Sequence, residues 1–113
     1  MPTKTPETTP AKAGGGQLPS YHLSEEQAKF AAMLIRYPRL FAFWDFEQRG
    51  FDVANFEQAL GVFSHGERII AEFFVGLWRG DNKYNFDFFE AAKVLDAAQL
   101  AEIQNWLNDP FFP

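Results

Sequence analysis

His22 and His65 are the only histidines, and the chain has no cysteine. Neither histidine lies in an HxxH, HxxxH or HExxH arrangement. His65 with Glu67 supplies two ligands where a metal centre takes three or four. No metal and no cofactor is therefore expected, and thiol chemistry and disulfide pairing are excluded. Glu25 and Glu26 read as first-turn helix residues, where the dipole favours negative charge. Asp45 and Glu47 would lie about 200° apart on a helix, so they do not converge as an acid–base pair. Ser20, Ser24 and Ser64 are the only serines, and none sits in a GxSxG elbow. The glycines form neither a dinucleotide-binding fingerprint nor a phosphate loop. Arg36 and Arg39 read as surface charge beside a kink. These residues point to a protein that is not an enzyme.

The elements that would position any site are helical. All four threonines fall within residues 1–20, alanine is common from Ala28 to Ala101, and no stretch alternates apolar with polar residues for long. That composition favours helices over strands. Ser24 to Gln27 forms a capping box that opens a helix through Phe30, Met33, Leu34 and Tyr37. Pro38 breaks it and starts a second helix, expected to reach Arg49 with Gly50 as its stop. Asp52 is expected to cap a third, through Phe56, Leu60 and Phe63. Ser64 to Glu67 is a second box, opening a helix with Ile69, Ile70, Phe73, Phe74 and Leu77 on one face and Gly80 after its end. A short helix over Asp87 to Val94 follows the loop 81–85. Asp96 to Gln99 starts the last, with Leu95 and Leu100 in the pattern of a hydrophobic staple. The expected fold class is all-α, a compact bundle of five or six short helices. Gly61 and Gly76 fall inside predicted helices, where glycine costs about 1 kcal/mol relative to alanine; close approach of two helices would explain them.

Domain organisation follows from composition. Residues 1–20 hold four prolines, the threonines and Gly14-Gly15-Gly16, with almost no large apolar residue. Such a segment cannot offset its chain entropy by burial and is expected to be a disordered leader or linker. Residues 21–113 are expected to form a single α-helical domain. The whole chain, 113 residues long, carries a net charge of −5. An acidic balance argues against direct nucleic-acid binding. No apolar run approaches the roughly 20 residues of a membrane span, and the first ten residues lack a secretory core. A cytoplasmic location with no membrane association is the default expectation.

Several segments resemble those of uncharacterised small helical domains carried on bacterial or phage mobile elements. They are Ser64-His65-Gly66-Glu67-Arg68, Leu77-Trp78-Arg79-Gly80-Asp81, Phe89-Glu90-Ala91 and Val94-Leu95-Asp96, within residues 64–107. The resemblance implies an accessory protein acting on a host system and carries no catalytic residues with it.

The anomaly of the sequence is aromatic. All 14 phenylalanines lie between Phe30 and Phe112, joined by three tryptophans and three tyrosines. A domain this small has little interior relative to its surface, so not every ring can be hidden in a monomer. On a helix over 37–51, Tyr37, Leu40, Phe41 and Trp44 share a face, while Phe43 and Phe46 point elsewhere. Trp78 and Trp106 fall at the edges of their helices, and Phe111 and Phe112 sit near a terminus, where chains fray. The expected partner-binding set is Phe43, Trp44, Phe46, Trp78, Trp106, Phe111 and Phe112, contacting a protein partner or a second copy of the chain. Two other functions fit less of the pattern. One is inhibition of a host nucleic-acid machine, by an anti-CRISPR-type or DNA-mimic protein. The other is carriage of a small hydrophobic ligand in an internal pocket.

Overall fold

In the computed structural model, which describes residues 23–113, six helices and one short β-ribbon follow in chain order. The expected disordered tail of residues 1–20, and His22, lie outside the described residues. By their internal packing the described residues group into two compact units, the first ending at Val53 and the second running from Ala54 to Pro113.

In the first unit, α1 (Glu25–Leu34) begins at Ser24, whose hydroxyl accepts from the Gln27 amide at 3.0 Å while Gln27 Oε1 accepts from the Ser24 amide. Two otherwise unsatisfied donors are thereby met. The helix buries Gln27, Phe30, Ala31 and Leu34. Pro38 takes the first position of α2, as its fixed φ favours, but α2 (Pro38–Phe41) is only four residues long. The expected helix to Arg49 is replaced by an antiparallel ribbon of β1 (Trp44–Asp45) and β2 (Gly50–Phe51), in register Trp44 opposite Phe51 and Asp45 opposite Gly50.

The aromatic pattern explains that departure. A helix would send Phe43 and Phe46 away from the face holding Trp44. Trp44, on β1, and Phe46, in the turn that follows it, are both buried, while Asp45 between them is exposed. The connection is closed by Asp45 Oδ1, which accepts from the Gln48 amide, and by Arg49 in the left-handed region at φ 56°. The Asp52 amide donates to the Phe43 carbonyl at 2.8 Å. Gly50, expected as a helix stop, is thus a strand residue.

In the second unit, α3 (Val53–Leu60, entered from the last residue of the first unit) buries Phe56. It ends before Gly61, so that glycine lies in a turn rather than in a helix. The fourth helix, α4 (His65–Arg79), is capped by the Ser64–Glu67 box and stopped by Gly80 at φ 74°, the left-handed conformation that glycine adopts without a Cβ penalty. Every residue from Ile69 to Val75 is buried. Gly76 has a different cause from the one expected: a Cβ there would lie 3.1 Å from the Asp81 carbonyl, so a loop rather than a second helix presses on it. Asp87 caps α5 (Phe88–Val94), and the Asp96–Gln99 box opens α6 (Ala97–Asn108). No helix among the described residues is long and apolar enough to cross a membrane.

Candidate functional site

The surface that stands out is built at the start of α5. Asp87 Oδ1 accepts from the amides of Phe89 and Glu90, at 2.8 and 3.2 Å, and so fixes where the helix begins. Ala91 faces the interior at 1% exposure. Phe89, two residues earlier, is then about 160° away around the helix and points into solvent, 81% exposed. Phe88 is 52% exposed.

Phe88 does not stand alone. Its ring meets Phe86 edge-on at 4.9 Å, and Phe86 meets Phe73 at 5.5 Å. Phe73 is T-shaped against Trp106, and Trp106 against Phe112, both at 5.7 Å. Edge-on packing sets the positive rim of one ring against the negative face of the next. A continuous line of five rings therefore runs from Phe88 to Phe112, buried at Phe73 and open at both ends, with Phe112 58% exposed. Two hydrogen-bonded clamps hold it. The Asn82 side-chain amide both donates to the Phe86 carbonyl and accepts from the Phe86 amide. The Trp106 indole N–H donates to the Phe111 carbonyl at 2.8 Å. The terminal phenylalanines thus dock on α6 instead of fraying.

Of the sequence-predicted set, Trp106, Phe111 and Phe112 come together here. Trp44 and Phe46 do not offer surface: they are 6% and 4% exposed and pack on Phe30 at 5.4 and 6.3 Å, as core of the first unit. Phe43 and Trp78 are half-buried and belong to other parts of the chain. Phe88 and Phe89 are not in the set that the sequence singles out. Their adjacency on a helix is no signal by itself, since Phe73 and Phe74 are adjacent on α4 and both buried.

A second feature is a polar cleft of about 330 Å³ between α4, α5 and the loop that joins them. His65, exposed at the start of α4, pairs with Glu90 through Nε2 at 2.9 Å. Arg68 Nε donates to Glu72 at 3.2 Å, and the Tyr84 hydroxyl donates to Glu57 at 2.7 Å. Burial pushes the Glu72 carboxyl up from its ordinary value, against the opposing pull of Arg68. Burial likewise raises the Tyr84 phenol, and its bond to Glu57 adds to the shift. Outside the cleft, Asp81 is held low by its paired bonds from Arg79. A carboxylate–imidazole pair can orient a general base, but the cleft lining contains no serine, threonine or lysine for it to activate. His65 is engaged with Glu90 and Arg68 with Glu72. Among the described residues no cluster of three or more His, Asp or Glu side chains is placed to hold a metal ion.

No protein-family model, curated protein or solved structure matches this chain.

Proposed function

We propose that the chain is a cytoplasmic, non-enzymatic protein-interaction module, an accessory protein of the kind its mobile-element resemblance implies. Its docking surface is the ring line from Phe88 to Phe112 together with Phe89. The observation that carries this reading is Phe89 at 81% exposure beside the half-exposed Phe88, at the open end of a rigidly packed aromatic row. Single apolar side chains on a surface are ordinary, whereas grouped rings mark contact sites. Covering what remains exposed of Phe88, Phe89 and Phe112 would contribute about 3–6 kcal/mol, at 1.5–3 kcal/mol for a fully buried large side chain. Anchors of that size carry interfaces.

Quantitative pull-down from cells that encode the protein tests this, with the full chain and a Phe88→Ser/Phe89→Ser double variant as baits. A protein held by the wild type should be depleted on the variant by about tenfold or more, the ratio that 1.4 kcal/mol represents. Identical recovery on both baits would overturn the reading.

A further inference from the structure

Resting on that reading, we infer that the occupant of the aromatic surface is a basic, apolar segment of a partner protein, one with large aliphatic side chains bordered by lysine or arginine. Charge is unevenly divided along the chain. Residues 54–113 carry nine Asp/Glu against four Lys/Arg, and residues 86–113, which supply four of the five rings, carry five against one; of those five, Asp87, Asp96 and Asp109 are exposed, whereas Glu102 is buried and Glu90 is bonded to His65. The exception, Lys93, lies one turn beyond Phe89 on α5. Asp87 adjoins Phe88, and only its Oδ1 is used in capping; its second oxygen takes no bond among the described residues. Asp109 leads into the docked end of the chain.

An acidic border does two things to an apolar contact. It attracts cations, which also gain from lying over exposed ring faces such as that of Phe89. It repels anything of like charge, and a second copy of this chain brings the same net −5. Self-association through this face is therefore opposed by the field that favours a cationic partner. The carboxylates alone would select for charge and the rings alone for grease. Together they select a segment with both.

Calorimetric titration of the full chain with two short amphipathic peptides tests the inference. One is built of leucine and lysine; the other has glutamine at every lysine position. The lysine peptide should bind at least about tenfold more tightly at 0.1 M salt and lose about that factor by 1 M, where the screening length falls from about 10 Å to 3 Å. Phe89→Ser should weaken both peptides, with thermal unfolding unchanged because the ring is exposed. Asp87→Asn should weaken only the lysine peptide, since asparagine also caps helices. Equal binding of the two peptides at all salt concentrations overturns the charge inference and leaves the aromatic surface standing. Binding of the lysine peptide that ignores Phe89→Ser overturns the surface itself. Absence of binding by either peptide overturns the inference, and the pull-down then judges the aromatic surface alone.

Discussion

Replacing Phe46 by alanine separates the ribbon fold of residues 44–51 from the helix that the sequence suggests. Phe46 is 4% exposed, and its ring lies 6.3 Å from Phe30 and 5.8 Å from Phe41. Truncating an enclosed phenylalanine removes its transfer free energy and leaves a cavity, a loss of about 3–5 kcal/mol. The upper part of that range applies here, because a ribbon with two-residue strands has no stability of its own. It is held by the packing of its own Trp44 and Phe46 on Phe30. Against a total stability of about 5–15 kcal/mol for a small protein, the loss is large. On a helix over 38–49 the same ring would face away from Trp44, and alanine would be neutral or favourable there by propensity. The two folds thus predict different signs. Urea unfolding followed by tryptophan fluorescence reads the outcome, since Trp44 sits 5.4 Å from Phe30 and 4.6 Å from Phe51. A loss of less than about 1 kcal/mol, within the range of surface substitutions, would refute the enclosed ribbon.

Trp106→Phe keeps a ring against Phe73 and Phe112 but removes the donor to the Phe111 carbonyl along with part of the indole. It should cost about 0.5–1.5 kcal/mol by denaturant titration and increase amide exchange at residues 111–112. Gly76→Ala should fail to gain the roughly 1 kcal/mol that alanine brings to an open helix position, because the Asp81 carbonyl blocks its Cβ at 3.1 Å. Gly66→Ala, whose nearest neighbours are side-chain atoms at 3.9 Å, should be tolerated, and melting temperatures of the pair compare them. Glu72 has a raised folded pKa, so the folded state holds its proton more tightly than the unfolded chain does. Its contribution is complete below the ordinary glutamate value and is lost as pH rises through the folded one. Glu72→Gln should therefore gain on the wild type as pH is raised from 4 to 7 in a series of urea titrations; a gap that shrinks over that range would contradict the assignment.

What was legible in the sequence was local chemistry. Ser24 with Gln27, Ser64 with Glu67 and Asp96 with Gln99 form capping boxes, and Gly80 stops α4, because these bonds join residues three or four apart and need no tertiary context. The ribbon was not legible. Its only pattern is Trp44-Asp45-Phe46, too short to register as alternation, and Gly50 looks like a helix stop until Arg49 is seen to take the left-handed turn. Gly76 is odd inside a helix, but the Asp81 carbonyl that explains it belongs to the returning loop. The surplus of rings over interior was also visible, yet its location was not. Trp44 and Phe46 went inside with Phe30, while Phe88 and Phe89 were left outside by the way Asp87 sets the start of α5. His65 is visible in the sequence as a histidine; its partner Glu90, 25 residues away, is supplied by the fold.

Site-specific photo-crosslinking in the native cell tests the central claim most directly, with a benzophenone side chain placed at Phe89 in the full chain and at Val62 as a control. Val62 is 75% exposed but lies in the turn between α3 and α4, apart from the ring line. The aromatic surface predicts a discrete adduct with another protein from position 89 and none from position 62. No adduct at 89, or the same adducts from both positions, would contradict it.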